Sequence, residues 1–184
     1  MRTIPVIHRN AVTRYNRQAR ERNGGRGAFD AEIRSLGLEP HSEVEVSRVP
    51  ASADVARVLG IHEGVPVVAR RRRMAADGVT VQLATSFIPT DIADGTRLVD
   101  QDSGPGGIVS RFAELGYAQT RITEAVRSRR PTEAEATALG LDPDQFVTEI
   151  FHVGWTAEGR AVEVCVHVVA ASQWVLDYEF TIDG

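Results

Sequence analysis

The chain is short of several things, and each shortage excludes something. It has a single cysteine, Cys165, in 184 residues. No intrachain disulfide can form, and no cysteine-rich zinc site can be assembled. His8, His41 and His62 are scattered without ligand-like spacing, so no metal site and no cofactor are predicted. No apolar run approaches the ~18 residues of a membrane span, and the N-terminus lacks a signal-peptide core. The sequence therefore predicts a cytoplasmic protein. Lysine is absent: all 21 basic residues are arginine, which reads first as the codon bias of a GC-rich genome. A net charge of -4 is a poor balance for a stand-alone DNA-binding domain.

What is present is enough for one domain with a real core, since 42% of the residues are hydrophobic. Residues 1–27 differ from the rest. They hold seven arginines against one acid, Glu21, and end in Asn23-Gly24-Gly25-Arg26-Gly27, which is hinge chemistry. They read as a basic linker or arm, either a solvated terminus or a segment running toward DNA held by something else. The domain proper is placed at 28–184.

Within it the patterns predict a helix over 28–36 and a half-buried strand over 43–49. A helix over 53–59 follows, with Ser52 as N-cap and Gly60 as stop. Strands over 65–75 and 79–87 flank Asp77-Gly78, a dipeptide favoured in hairpin turns. A helical turn over 89–94, a loop over 98–107 and a helix over 108–115 come next. A strand is expected over 120–129. Thr132 and Glu135 form a capping box for a helix ending at Leu139. Strands over 146–156, 161–171 and 174–182 complete the chain. Long antiparallel hairpins with helices interposed and no βαβ alternation give an α+β fold.

Arg70-Arg71-Arg72-Arg73 stands inside the strand over 65–75. Side chains alternate along a strand, so Arg70 and Arg72 share one face and Arg71 and Arg73 the other. The pair that points inward needs an anionic partner. Two readings of Arg72 stand. It holds an acidic ligand, or it pairs with a neighbouring acid such as Glu163 or Glu124 and ties strands together. Cys165 reads as a buried small hydrophobe. His152 and His167 are either pocket lining or satisfied core or surface histidines. Trp155 and Trp174 read as core or dimer contacts. No Gly-x-Ser-x-Gly elbow surrounds Ser86, which argues against a serine hydrolase.

In order and spacing, several motifs resemble a known family. They are Arg72, Ala76-Asp77-Gly78, Ser86-Phe87-Ile88-Pro89, Gly106-Gly107, Leu115-Gly116, Thr123-Glu124, Pro131-Thr132-Glu133 and Val162-Glu163-Val164. Together they resemble the UTRA domain, the effector-binding half of the HutC subfamily of GntR transcriptional regulators. The likeness spans about 28–182. It implies a chorismate lyase-like antiparallel β-sheet flanked by helices, with a pocket for a small molecule. In that family a winged-helix DNA reader precedes this domain, and residues 1–27 are too short to be one.

The resemblance also implies a site. Family members that bind phosphorylated sugars hold the anion with a loop at a helix start, strand arginines, and a Ser and a Tyr near the middle helix. Here Ala28, Phe29 and Asp30 fall in that loop, and Arg72 is the first strand arginine. Gly107 and Val109 stand where the Ser and Tyr would be, Met74 where a second arginine often lies, and Ala84 where a sugar-binding acid would be. These departures imply an effector more apolar than a sugar phosphate, carrying at most one carboxylate, oriented by Arg70 and Arg72. Glu163 and His167 complete the candidate lining. The expected function is ligand sensing that controls DNA binding by a homodimer. The alternatives are a chorismate lyase-like enzyme, with Glu163 as its acid, and a reader-less module that pairs with full-length regulators.

Overall fold

The structure, a computed structural model, describes residues 4–10, 14 and 27–182. Its centre is a six-stranded antiparallel sheet. The strands are β2 (Pro40–Pro50), β3 (Pro66–Ala76), β4 (Val79–Pro89), β5 (Arg121–Arg129), β6 (Val147–Trp155) and β7 (Ala161–Ala170), in the spatial order β2-β3-β4-β7-β6-β5. The β3–β4 hairpin turns at Asp77 and Gly78, whose φ values of 46° and 81° are the paired positive dihedrals that a two-residue hairpin turn demands. The outer strands β2 and β5 carry Glu43, Glu45, Arg121 and Arg127, charges that discourage a further strand from adding to either edge.

Among the described residues five helices surround the sheet: α1 (Ala28–Ser35), α2 (Ala53–Leu59), α3 (Thr90–Ala93), α4 (Gly107–Glu114) and α5 (Glu133–Leu139). A 3-10 turn spans Arg97–Val99. The expected capping box forms, with Thr132 and Glu135 bonding reciprocally at the start of α5. Ser52 takes the extended backbone of an N-cap but makes no side-chain cap bond. Helix α2 packs against one sheet face through Val55, Ala56, Leu59, Val67 and Val164.

The other face is divided. At one end Val68, Ile88, Ile92, Leu98, Phe112 and Val162 form an apolar cluster. At the other end Ile7, Phe29, Ile33, Ala84, Val169 and Trp174 form a second. Between these two plugs the sheet presents polar side chains, and there it stays open.

Two expectations need correction. The last strand is short: β8 covers Trp174–Asp177, and residues 178–182 are in no strand. Its partner was not foreseen. Strand β1 (Ile7–Asn10) lies inside the basic arm and pairs with β8 in parallel, Ile7 opposite Trp174. Ile7 and Arg9 are buried, so this part of the arm belongs to the fold. Most of the remaining arm lies outside the described residues.

Candidate functional site

The open stretch of the sheet forms the floor of a cavity of about 540 Å³, within the range of small-molecule sites. Strand alternation builds that floor. Arg72 and Met74 of β3, Gln82 of β4, Glu163, Cys165 and His167 of β7, and His152 of β6 all line it. Its roof comes from the first turns of α1 and α4. Both helices start at glycine, Gly27 and Gly106, with no side-chain cap. Both starts present the positive end of a helix dipole, with the Gly107 N–H already donating to the Gly104 carbonyl at 3.1 Å. Glycine is needed at 106 because φ is +79° and a Cβ there would run into Ser110 Cβ at 2.8 Å.

Arg72 is incompletely satisfied at the cavity floor. Its Nη2 donates to Ser86 Oγ at 2.8 Å and to Cys165 Sγ at 3.1 Å. Its Nε is buried with no partner among the described residues. The two acids expected to pair with it are engaged elsewhere. Glu163 accepts from Gln119 Nε2 at 2.9 Å, and Glu124 lies 3.0 Å from His152 Nδ1. Burial works to raise the Glu124 pKa, but the hydrogen bond and charge of His152 outweigh it and the net shift is downward. The internal-pair reading of Arg72 therefore lacks its carboxylate.

Of the ten candidate residues, Arg72, Ala28, Phe29, Asp30, Gly107, Val109, Glu163 and His167 line the cavity. Arg70 does not. It shares the sheet face of Arg72 but turns to the loop after the 3-10 turn. There it donates to the carbonyls of Leu98 (2.8 Å), Asp100 and Gln101 (3.1 Å). It is buried, and burial, followed by the charge of Arg72, lowers its pKa. Its acceptors are backbone oxygens of a loop, which it braces. Ala84 lies opposite both Arg72 and His167 in register but is packed into the Phe29 and Trp174 cluster.

Several lining residues carried no signal in the sequence. Gln82, Gln119, Ile122 and Arg14 come from four separate segments. Gln82 is the floor's organiser. Its Oε1 accepts from Arg9 at 2.5 Å, while Nε2 lies 3.1 Å from Met74 Sδ and 3.2 Å from His167 Nδ1. Burial, with Arg9 nearby, holds His167 well below the ordinary histidine range, so the ring is neutral. The Cys165 thiol is pushed up to about 11, chiefly by burial, which suits a packed thiol and not a nucleophile. Arg14, at the cavity wall, pairs with Glu32, and the same carboxylate holds Arg9 at 3.1 and 3.2 Å.

Among the described residues no group of His, Cys, Asp and Glu is placed to hold a metal ion. No helix there is long and apolar enough to cross a membrane.

Comparison with known proteins identifies the architecture. The model of the UTRA domain matches residues 35–174. An HTH-type transcriptional regulator of Streptomyces coelicolor is 33% identical over 96% of this chain, which covers 67% of that protein. The HTH-type transcriptional repressor PhnF of Mycolicibacterium smegmatis is 26% identical over 76% of the chain, which spans 57% of its length. The crystal structure of the PhnF effector domain superposes with a TM-score of 0.75 at 20% identity, covering 96% of this chain and all of that one. These relatives are regulators and their effector domains, not enzymes.

Proposed function

Because this chain belongs to the UTRA domain family of GntR-type transcriptional regulators, we propose that its cavity is the effector pocket of a HutC-type regulator, a sensor for a small molecule with an anionic group. The observation that carries this reading is Arg72, a guanidinium at the cavity floor whose Nε is buried and unpartnered and which has no carboxylate among the described residues. A buried guanidinium without a carboxylate is costly, and an anionic ligand at the cavity floor supplies the missing counter-charge. The uncapped helix starts at Gly27 and Gly106 add partial positive charge on the opposite wall.

The proposal extends to control. DNA binding belongs to a winged-helix domain joined through residues 1–27, in a cytoplasmic homodimer matched to two-fold operators. Arg14 lines the cavity and shares Glu32 with Arg9 of β1. A ligand that bears on this wall also bears on the strand leading toward the DNA reader. The switch works by differential affinity for two arrangements of that arm.

The test is a thermal-shift screen of the 184-residue chain against metabolites carrying carboxylates and phosphates. A true effector at a hundredfold excess over its Kd raises Tm by about 5–10 °C. Arg72→Ala abolishes the shift while leaving the ligand-free Tm nearly in place. A variant that loses stability and keeps the ligand response would return Arg72 to a structural role.

A further inference from the structure

The charges facing the cavity balance. Arg14 and Arg72 are matched by Asp30 and Glu163. Glu163 is 4% exposed, and Gln119 holds only its Oε2. Its Oε1 has no partner among the described residues and is not sealed from the open space. Arg72 touches Cys165, and Glu163 stands two residues away on the same face of β7. Both charges therefore face one cavity from the same face of the sheet, where a single small molecule can meet both. A dianion seated on Arg72 would face the Glu163 carboxylate at short range in a poorly solvated site. Around this charged pair the walls are apolar: Phe29, Met74, Ile108 and Ile122.

We infer that the effector is a small zwitterion on an apolar frame, its carboxylate held by Arg72 and its ammonium by Glu163. The inference rests on the reading of the cavity as an effector pocket and narrows it. Gln119 acts as a positioning residue, fixing one carboxylate oxygen of Glu163 so that the other is presented to the ligand. Recognition then requires both signs of charge in one molecule. An acid or an amine of the same skeleton leaves one buried charge unmet.

The experiment uses the whole chain and matched triplets on three frames: leucine, 4-methylpentanoate and 3-methylbutylamine; phenylalanine, 3-phenylpropionate and phenethylamine; tryptophan, indole-3-propionate and tryptamine. Inorganic phosphate and a sugar phosphate serve as dianions. In at least one triplet the amino acid binds about 10–100-fold more tightly than its acid or its amine, the range for a lost charged hydrogen bond. Glu163→Gln erases that advantage: the amino acid loses affinity, and the acid, freed of a facing carboxylate, binds at least as tightly as before. If the acids bind as well as the amino acids throughout, if Glu163→Gln keeps the preference, or if only the dianions bind, the zwitterion is wrong and the pocket stands. If neither these compounds nor the metabolite screen moves Tm, the pocket falls as well.

Discussion

Arg9 and Gln82 are joined by a 2.5 Å hydrogen bond that runs from the N-terminal strand to the floor of the cavity. A guanidinium can only donate, so Gln82 must turn its oxygen to Arg9 and its amide nitrogen to His167. His167 Nδ1 then accepts, and the ring proton sits on Nε2. A residue of the arm thus sets the hydrogen-bonding polarity of a residue in the pocket.

Arg9→Ala removes the fork to Glu32, the bond to Gln82 and the stacking of the guanidinium 4.3 Å from the Trp174 ring centroid. Breaking a buried charged pair from one side costs about 3–5 kcal/mol. Urea denaturation is expected to show a loss in that range. Arg9→Lys recovers only part of it, because an ammonium cannot reproduce the fork. An unchanged midpoint would show that β1 adds nothing to the fold.

His167 gives the protein a stability slope on the acid side of neutrality. Burial depresses its folded pKa well below 6.5, so the unfolded chain takes up a proton that the folded chain refuses. The contribution is complete above about pH 6.5 and is lost as pH falls from there toward the folded pKa. Measuring ΔG between about pH 7 and pH 5 stays above the acid window of Glu124. Over that interval His167→Asn flattens the decline. An equal slope in both proteins would refute the assignment.

Arg70→Met strands three carbonyl oxygens, those of Leu98, Asp100 and Gln101. The expected cost is about 2–4 kcal/mol, with faster amide exchange in residues 97–103. Ligand affinity changes less than in Arg72→Ala. A larger binding defect at 70 than at 72 would reverse the roles assigned to the two arginines.

Gly154 gives room to Gln119: a Cβ there would come to 2.5 Å from Gln119 Cδ. Because the obstacle is the flexible end of a side chain, Gly154→Ala is expected to fold. It displaces Gln119 from Glu163, weakening ligand binding about tenfold with little change in Tm. Equal affinity in the two proteins would mean that Gln119 does not position Glu163.

Local patterns were readable where a short-range rule governs them. Asp77-Gly78 marked its hairpin, Thr132 and Glu135 their cap, and alternation put Arg70 and Arg72 on one face. Alternation could not say that Arg70 would be taken up by a loop 28 to 31 residues away. Nor could it find β1, four residues paired with a strand at the far end of the chain, since no local periodicity encodes such a pairing. Gln82 and Gln119 were invisible because glutamine is common on half-buried strands and in loops, and their roles come from neighbours distant in sequence.

The parallel seam between Ile7–Asn10 and Trp174–Asp177 has a mechanical consequence. Tension drawn along the arm loads the bonds of that seam together, in shear, instead of peeling them one by one. Gln173 adds a staple at the leading end, gripping the Pro5 carbonyl at 2.6 Å. Such a clasp yields abruptly or not at all, the behaviour of a latch rather than a spring.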